Sequence, residues 1–167
     1  MRKMTESNLK EAFAGESQAH MKYLAFAHKA EREGLPEAAR LFTAIAYAER
    51  VHAINHLQQL GGIGDTLTNL GEAMGGENFE NTEMYPAFEA VAKLQEEKGA
   101  LRTIFYALEA EKIHEVMYGE AVEIVKAGAD LPAQKVFVCS ICGHTIFGDS
   151  PDRCPICKAV KAKYKEF

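Results

Sequence analysis

The chain has no tryptophan, only five prolines among 167 residues, and no excess of positive charge: nineteen Lys and Arg stand against twenty-four Asp and Glu, for a net charge of −5. The charge balance excludes nucleic acid as a natural partner, since phosphate binding needs a basic face. The basic residues are scattered except for a short run, Lys158, Lys161, Lys163 and Lys165, which reads as solvated surface. No segment approaches the ~18 consecutive apolar residues of a membrane span, so no membrane partner is expected. The first residues, MRKMTESNLKE, lack the apolar core of a signal peptide, which gives a cytoplasmic expectation. Cysteine is scarce too, and its four copies all fall between positions 139 and 157. In a reducing compartment such a cluster reads as metal ligands rather than disulfides.

What the chain does have is enough apolar content (47% hydrophobic) to bury one core with a small appendage. Residues 5–33 carry a helical stripe, Leu9, Phe13, Glu16, His20, Tyr23 and Ala27, spaced by fours and threes. Gly34 marks a helix stop, and Leu35-Pro36 a restart with proline in the first turn. A second helix to about residue 60 would put Leu41, Ile45, Glu49, His52 and His56 on its inner face. So short a joint makes the two helices antiparallel neighbours. Residues 61–78 hold six glycines and read as a long crossover with a short helix near 67–74. A third helix is predicted over 78–97, kinked at Pro86, and a fourth over 100–127, ended by Gly128. Beyond a linker containing Asp130-Leu131-Pro132 the helical period vanishes, and Val136-Phe137-Val138 is a strand candidate.

Two pentapeptides match: Ala48-Glu49-Arg50-Val51-His52 and Ala110-Glu111-Lys112-Ile113-His114. Positions i and i+3 share a helix face, so each copy aims a carboxylate and an imidazole the same way. Glu16 lies in the apolar stripe of the first helix, and Glu80 and Glu83 stand one turn apart on the third. Buried carboxylates without counter-charge would each cost several kcal/mol, and two cations remove that difficulty. One imidazole per metal among carboxylates suits iron or manganese. Tyr23, two turns beyond Glu16 on the same face, is expected to hydrogen-bond a ligand carboxylate, with Tyr118 in the equivalent place after Glu111. His20 is a candidate outer partner, while His28, His56 and His144 read as ordinary surface or core residues.

Cys139-x-x-Cys142 and Cys154-x-x-Cys157, eleven residues apart, form paired knuckles for a tetrahedral four-thiolate site. Spacing alone leaves structural zinc and redox iron both open. Gly143 lets the first knuckle turn tightly enough for amides to face sulfur.

Over essentially its whole length the chain resembles the rubrerythrins. The stretches that carry the resemblance are Ala12-Phe13-Ala14-Gly15-Glu16-Ser17-Gln18-Ala19-His20, the two A-E-x-x-H motifs, Glu77-Asn78-Phe79-Glu80 with Glu83-Met84-Tyr85-Pro86, and Val138-Cys139-Ser140-Ile141-Cys142-Gly143 with Cys154-Pro155-x-Cys157. The resemblance implies an all-α, ferritin-like four-helix bundle with one long crossover (residues 1–130), a linker (131–135) and a rubredoxin-like Fe(Cys)4 domain (136–167). It implies Glu16, Glu49, His52, Glu80, Glu83, Glu111 and His114 as ligands of a di-iron centre. One iron would change partner with oxidation state, from His52 when reduced to Glu83 when oxidised. Cys139, Cys142, Cys154 and Cys157 would hold the mononuclear iron, and no organic cofactor is implied. The implied activity is reduction of hydrogen peroxide to water, with electrons from rubredoxin or an NAD(P)H-dependent reductase arriving through the Fe(Cys)4 site. His144 and Lys158 depart from the usual rubredoxin knuckles, which carry Tyr and Gly there, and the cysteine pairs are closer together than in free-standing rubredoxins.

Glu111 lies seventeen residues before Gly128, or ~25 Å of helix at 1.5 Å per residue. This predicts a homodimer in which the cysteine site of one chain serves the di-iron site of the other, and the glycine-rich crossover leaves room for exchange of helix pairs. Two rival readings are a ferroxidase that uses O2 to handle iron, and a non-catalytic helical protein with a structural zinc ribbon.

Overall fold

The computed structural model describes residues 1–167 and divides into two compact units, Met1–Gly64 and Asp65–Phe167. In the first, α1 (Lys3–Arg32) packs along α2 (Pro36–Gln59). Gly34 adopts φ +75°, and the Gly34 and Leu35 amides close back on Glu31 and Ala30 carbonyls, the left-handed helix stop expected of this glycine. The seam between the helices is made of alanines, Ala27 and Ala30 on α1, Ala39, Ala46 and Ala53 on α2. His20 donates from Nδ1 to the Ala46 carbonyl at 2.7 Å, so this imidazole is satisfied within the seam.

Within this unit the face of α2 that carries Leu41 and Ile45 is not covered by α1. Leu41 is 64% exposed and Ile45 42%. Leu41 lies two residues on from Ala39, about 200° round the helix at 3.6 residues per turn. The alanine row packs within the unit, and the larger apolar residues face away from it.

In the second unit, α3 (Thr66–Phe79) begins as soon as Asp65 caps it, its carboxylate accepting the Thr68 amide at 2.8 Å. The crossover expected over 61–78 therefore shrinks to residues 60–65, and Gly71, Gly75 and Gly76 are helical. After α3 comes one π-helical turn, Glu80–Met84, then α4 (Tyr85–Leu94). The Tyr85 amide reaches the Glu80 carbonyl, and Pro86 sits in the first turn of α4. Proline cannot donate to the preceding turn. The helix takes it up as a widened turn rather than a break, a feature frequent at functional sites. Both α3 and α4 pack against α5 (Lys98–Lys126).

The C-terminal residues form a three-stranded antiparallel sheet in the order β2 (Thr145–Phe147), β1 (Val136–Cys139), β3 (Tyr164–Glu166). Of the three strands, only β1 is expected from the sequence, as the short apolar run Val136-Phe137-Val138. This module belongs to the same compact unit as α3–α5. The linker doubles back and lays the module along α5. Tyr106 packs on the cysteine cluster, and a Cβ placed on Gly143 would stand 3.6 Å from the Ala110 Cβ. The ~25 Å estimate, which followed the helix to its end, therefore does not describe the route between the cysteines and Glu111.

Candidate metal centres

Three groups of ligand atoms converge, each group's atoms lying within 4.8 Å of one another: Cys139, Cys142, Cys154 and Cys157; Glu16, Glu49 and His52; and Glu77, Glu111 and His114. The two A-E-x-x-H motifs thus build equivalent half-sites, one in each unit.

In the first half-site His52 Nδ1 lies 3.1 Å from Glu49 Oε2 and 3.8 Å from Glu16 Oε1. A hydrogen bond to Glu49 raises the Glu16 carboxyl above its usual range. The same bond, with help from His52, lowers Glu49. Two negative charges this close repel each other, and one carboxyl is held up while the other is held down. A bound cation relieves the same repulsion, and that fits a metal between them.

In the second half-site His114 Nδ1 is 2.6 Å from Glu111 Oε2. Glu77, which sequence reasoning passed over, joins this pair. Burial, then the hydrogen bond and charge of Glu111, then Glu80 and Glu115, push its carboxyl up to about 7. Glu80 is also raised, by burial and the Glu111 charge against the opposing His114, so it stands close by without joining the tight group. Glu83 is exposed in the π turn and belongs to neither group. Glu77, Glu80 and Glu83 recur every three residues, and that spacing was the available signal for Glu77. Glu115, one turn away, is held by Asn78 and Asn81, each donating from Nδ2 at 2.8 Å.

Tyr23 packs its ring with Phe26 and Phe42, at centroid distances of 6.1 and 6.3 Å. Beside the second half-site it is Tyr85 whose hydroxyl is raised, by burial and by the Glu80, Glu111 and Glu77 charges.

The four sulfurs are set for one ion. Cys139 Sγ–Cys157 Sγ is 3.6 Å and Cys142 Sγ–Cys154 Sγ is 3.4 Å, close to the ~3.8 Å edge of a tetrahedron with ~2.3 Å metal–sulfur bonds. Each knuckle closes alike: the Gly143 amide donates to the Cys139 carbonyl at 2.9 Å and the Lys158 amide to the Cys154 carbonyl at 3.0 Å. Gly143 has φ +80° and Lys158 φ +64°, so the second knuckle places a lysine where the backbone favours glycine. Burial pushes the Cys142 and Cys157 thiols up. Cys154 is brought down to about 6, because the Tyr164 hydroxyl and the Cys157 and Ile156 amides outweigh its burial. A thiolate already stabilised by these donors is ready to ligate a metal.

The rubrerythrin profile matches residues 7–122, and the profile of the rubredoxin-like domain of rubrerythrin matches residues 137–165. The chain belongs to the rubrerythrin family. It is 40% identical to Rubrerythrin-2 of Clostridium acetobutylicum, covering 98% of this chain and 97% of that protein. It is 37% identical to nigerythrin of Nitratidesulfovibrio vulgaris, covering 92% and 81%. A solved structure of nigerythrin in a partially reduced state superposes with a TM-score of 0.58 at 32% identity, covering 98% of this chain and 86% of that one. Membership gives the ferritin-like helical fold with its small four-cysteine domain. It also makes this an iron-dependent oxidoreductase of oxidative-stress defence, with iron at both kinds of centre. No helix is long and apolar enough to cross a membrane.

Proposed function

We propose that the chain reduces hydrogen peroxide, H2O2 + 2 e⁻ + 2 H⁺ → 2 H2O, at a di-iron centre refilled through its four-cysteine iron. The observation that carries this reading is the seating of the cysteine module on α5 beside Glu111 and His114. An electron-delivery site has a purpose next to a centre that must be re-reduced, and none beside one that only oxidises and stores iron. Two ferrous ions held by the Glu and His residues of the two half-sites would supply the two electrons that one peroxide takes, without release of hydroxyl radical.

In this reading Glu16, Glu49, His52, Glu80, Glu111 and His114 hold the two ions, and Glu83 is the carboxylate that replaces His52 on oxidation. Glu77 adds a further carboxylate, poised to hold or release a proton as the ions change charge. Tyr85 lies beside the carboxylates to hydrogen-bond them, and Tyr23 orders α1 through its aromatic neighbours. Electrons arrive from rubredoxin or an NAD(P)H-dependent reductase.

We also propose a homodimer with exchanged helix pairs. Each unit presents large apolar side chains to solvent, including Leu41, Ile45 and Ile54 in the first and Phe88, Val91 and Phe105 in the second. A two-helix layer seamed by alanine buries little on its own. A second copy would cover these faces and bring one chain's first half-site to the other's second.

The test is single-turnover oxidation of the fully reduced protein. Peroxide should restore the thiolate-to-iron absorption far faster than O2. Equal rates with both, or faster reaction with O2 and free Fe(II), would favour the ferroxidase, and a colourless zinc-only protein from iron-replete cells would sink both.

A further inference from the structure

The contact between the cysteine module and α5 runs through one hydroxyl. Thr145, the first residue of β2, pairs with Val138 in the sheet, and its side chain points to the helix. Its Oγ1 donates to the Gly143 carbonyl at 2.9 Å and lies 2.8 Å from His114 Nε2. A threonine hydroxyl has one hydrogen. With that hydrogen committed to Gly143, Thr145 can only accept from His114, so Nε2 must carry the proton of the imidazole. The other nitrogen, Nδ1, faces Glu111 Oε2 at 2.6 Å: without a metal it can donate to the carboxylate as an imidazolium, and with a cation between them it offers its lone pair while Nε2 stays bonded to Thr145. Gly143 follows the ligand Cys142 directly in the chain. From Cys142 to His114 there is thus an unbroken path of a few covalent bonds and two hydrogen bonds, both made by Thr145.

We propose that Thr145 is a positioning residue that selects the metal-binding tautomer of His114 and closes the electron path from the four-cysteine site to the di-iron site. The first half-site has no counterpart, since His52 is 53% exposed in its side chain and the residues around it come from α1 and α2. The inference rests on the proposed ligand role of His114, but two of its tests do not depend on peroxide being the substrate.

A Thr145→Val variant keeps the shape and strand preference of the residue and removes the hydroxyl, and Thr145→Ser restores it. The full chain, with iron already in its four-cysteine site, is titrated with Co(II) at the Glu/His sites. Loss of an outer hydrogen bond to a ligating histidine typically weakens metal binding by about 10–100-fold. The valine variant should bind one of two Co(II) ions at least about tenfold more weakly, and the serine variant should match the parent. In the Zn(II)-loaded protein, long-range 15N–1H spectra should show His114 protonated at Nε2 in the parent and serine forms, with that signature lost in the valine form. Return of the thiolate-to-iron colour after one peroxide pulse should slow at least about tenfold in the valine form alone. Parental Co(II) affinity and parental refilling in the valine variant would overturn the proposal. So would a serine variant as impaired as the valine one. Slowed colour return with parental affinity and tautomer would overturn the positioning role. If valine unfolds the module, as judged by loss of its iron absorption, Thr145→Ala replaces it and the same outcomes decide.

Discussion

The two half-sites start from nearly the same five residues and end in different surroundings. Glu49 and His52 project from a helix hairpin seamed by alanine, and the imidazole is half exposed. Glu111 and His114 lie under the cysteine module, with side-chain exposures of 19% and 25%, and the imidazole is held from both nitrogens. An i, i+3 carboxylate–imidazole pair therefore specifies only that two ligands share a helix face. Whether the histidine is fixed or free to leave depends on what stands behind it. Within one chain the second unit supplies Thr145 behind His114, while His52 has no such partner and is left half exposed.

The strongest way to break this comparison is to destroy one half at a time. Glu49→Ala and Glu111→Ala should each reduce peroxide turnover to background, since a two-metal centre missing one of its carboxylates would not hold both ions. If helix pairs are exchanged, the two inactive variants refolded together should regain about a quarter of parental turnover. Half of the dimers are mixed, and each carries one intact site of two. Sedimentation must show a dimer. No recovery in a verified mixed dimer removes the exchange proposal.

A smaller contrast comes from the histidines. His114→Ala should weaken metal binding by about 100-fold and His52→Ala by about tenfold, because only the former is clamped by an outer partner. Calorimetric or Co(II) titration of the full chain reads both, and equal losses would erase the asymmetry.

The pH dependence of the metal-free chain separates the units further. Glu77 has a folded value of about 7 against 4.5 for the free side chain. A carboxyl raised on folding favours the folded state below the unfolded value, and that contribution is lost as pH rises through the folded one. The metal-free second unit should therefore lose stability between about pH 4.5 and 7. Metal loading or Glu77→Gln should flatten that loss in thermal melts. A melting temperature that rises across this window would contradict the placement of Glu77.

The smallest expected effect is at the second knuckle. Lys158→Gly relieves a left-handed lysine and should stabilise the iron-loaded module by up to about 1 kcal/mol, part of the gain being offset by the added freedom of the unfolded chain. Denaturant titration followed at the iron absorption band measures it.

Much of the fold was legible because its signals are local. The stop at Gly34, the restart at Pro36, the stop at Gly128 and the paired C-x-x-C knuckles each depend on a few neighbouring residues, and all four stand as read. The short helix expected near 67–74 runs on to Phe79, through Gly75 and Gly76, because glycine weighs against helix only weakly in a short window. The Asp65 cap and packing on α5 prevail over that weak preference. Leu41 and Ile45 are expected on the inner face of α2 yet stay exposed within their own hairpin, because an apolar stripe reveals that a face is to be covered without revealing by what. Glu77 escaped attention because the π turn at Glu80–Met84 changes which of three equally spaced carboxylates turns toward Glu111.

By itself the sequence determined the chemistry on offer: two Glu-x-x-His faces, spare carboxylates on a third helix, four thiols in paired knuckles, and the family these belong to. Those depend on residue type and on spacings of three to four positions, which a helix or a tight turn converts into geometry without outside help. The tertiary structure decided how the pieces are used. It folded the cysteine module back onto α5, put Thr145 behind His114, left His52 open, and brought Glu77 to Glu111. These are contacts between residues distant in the chain, and they follow from a linker reversal and a widened helical turn that no local spacing encodes.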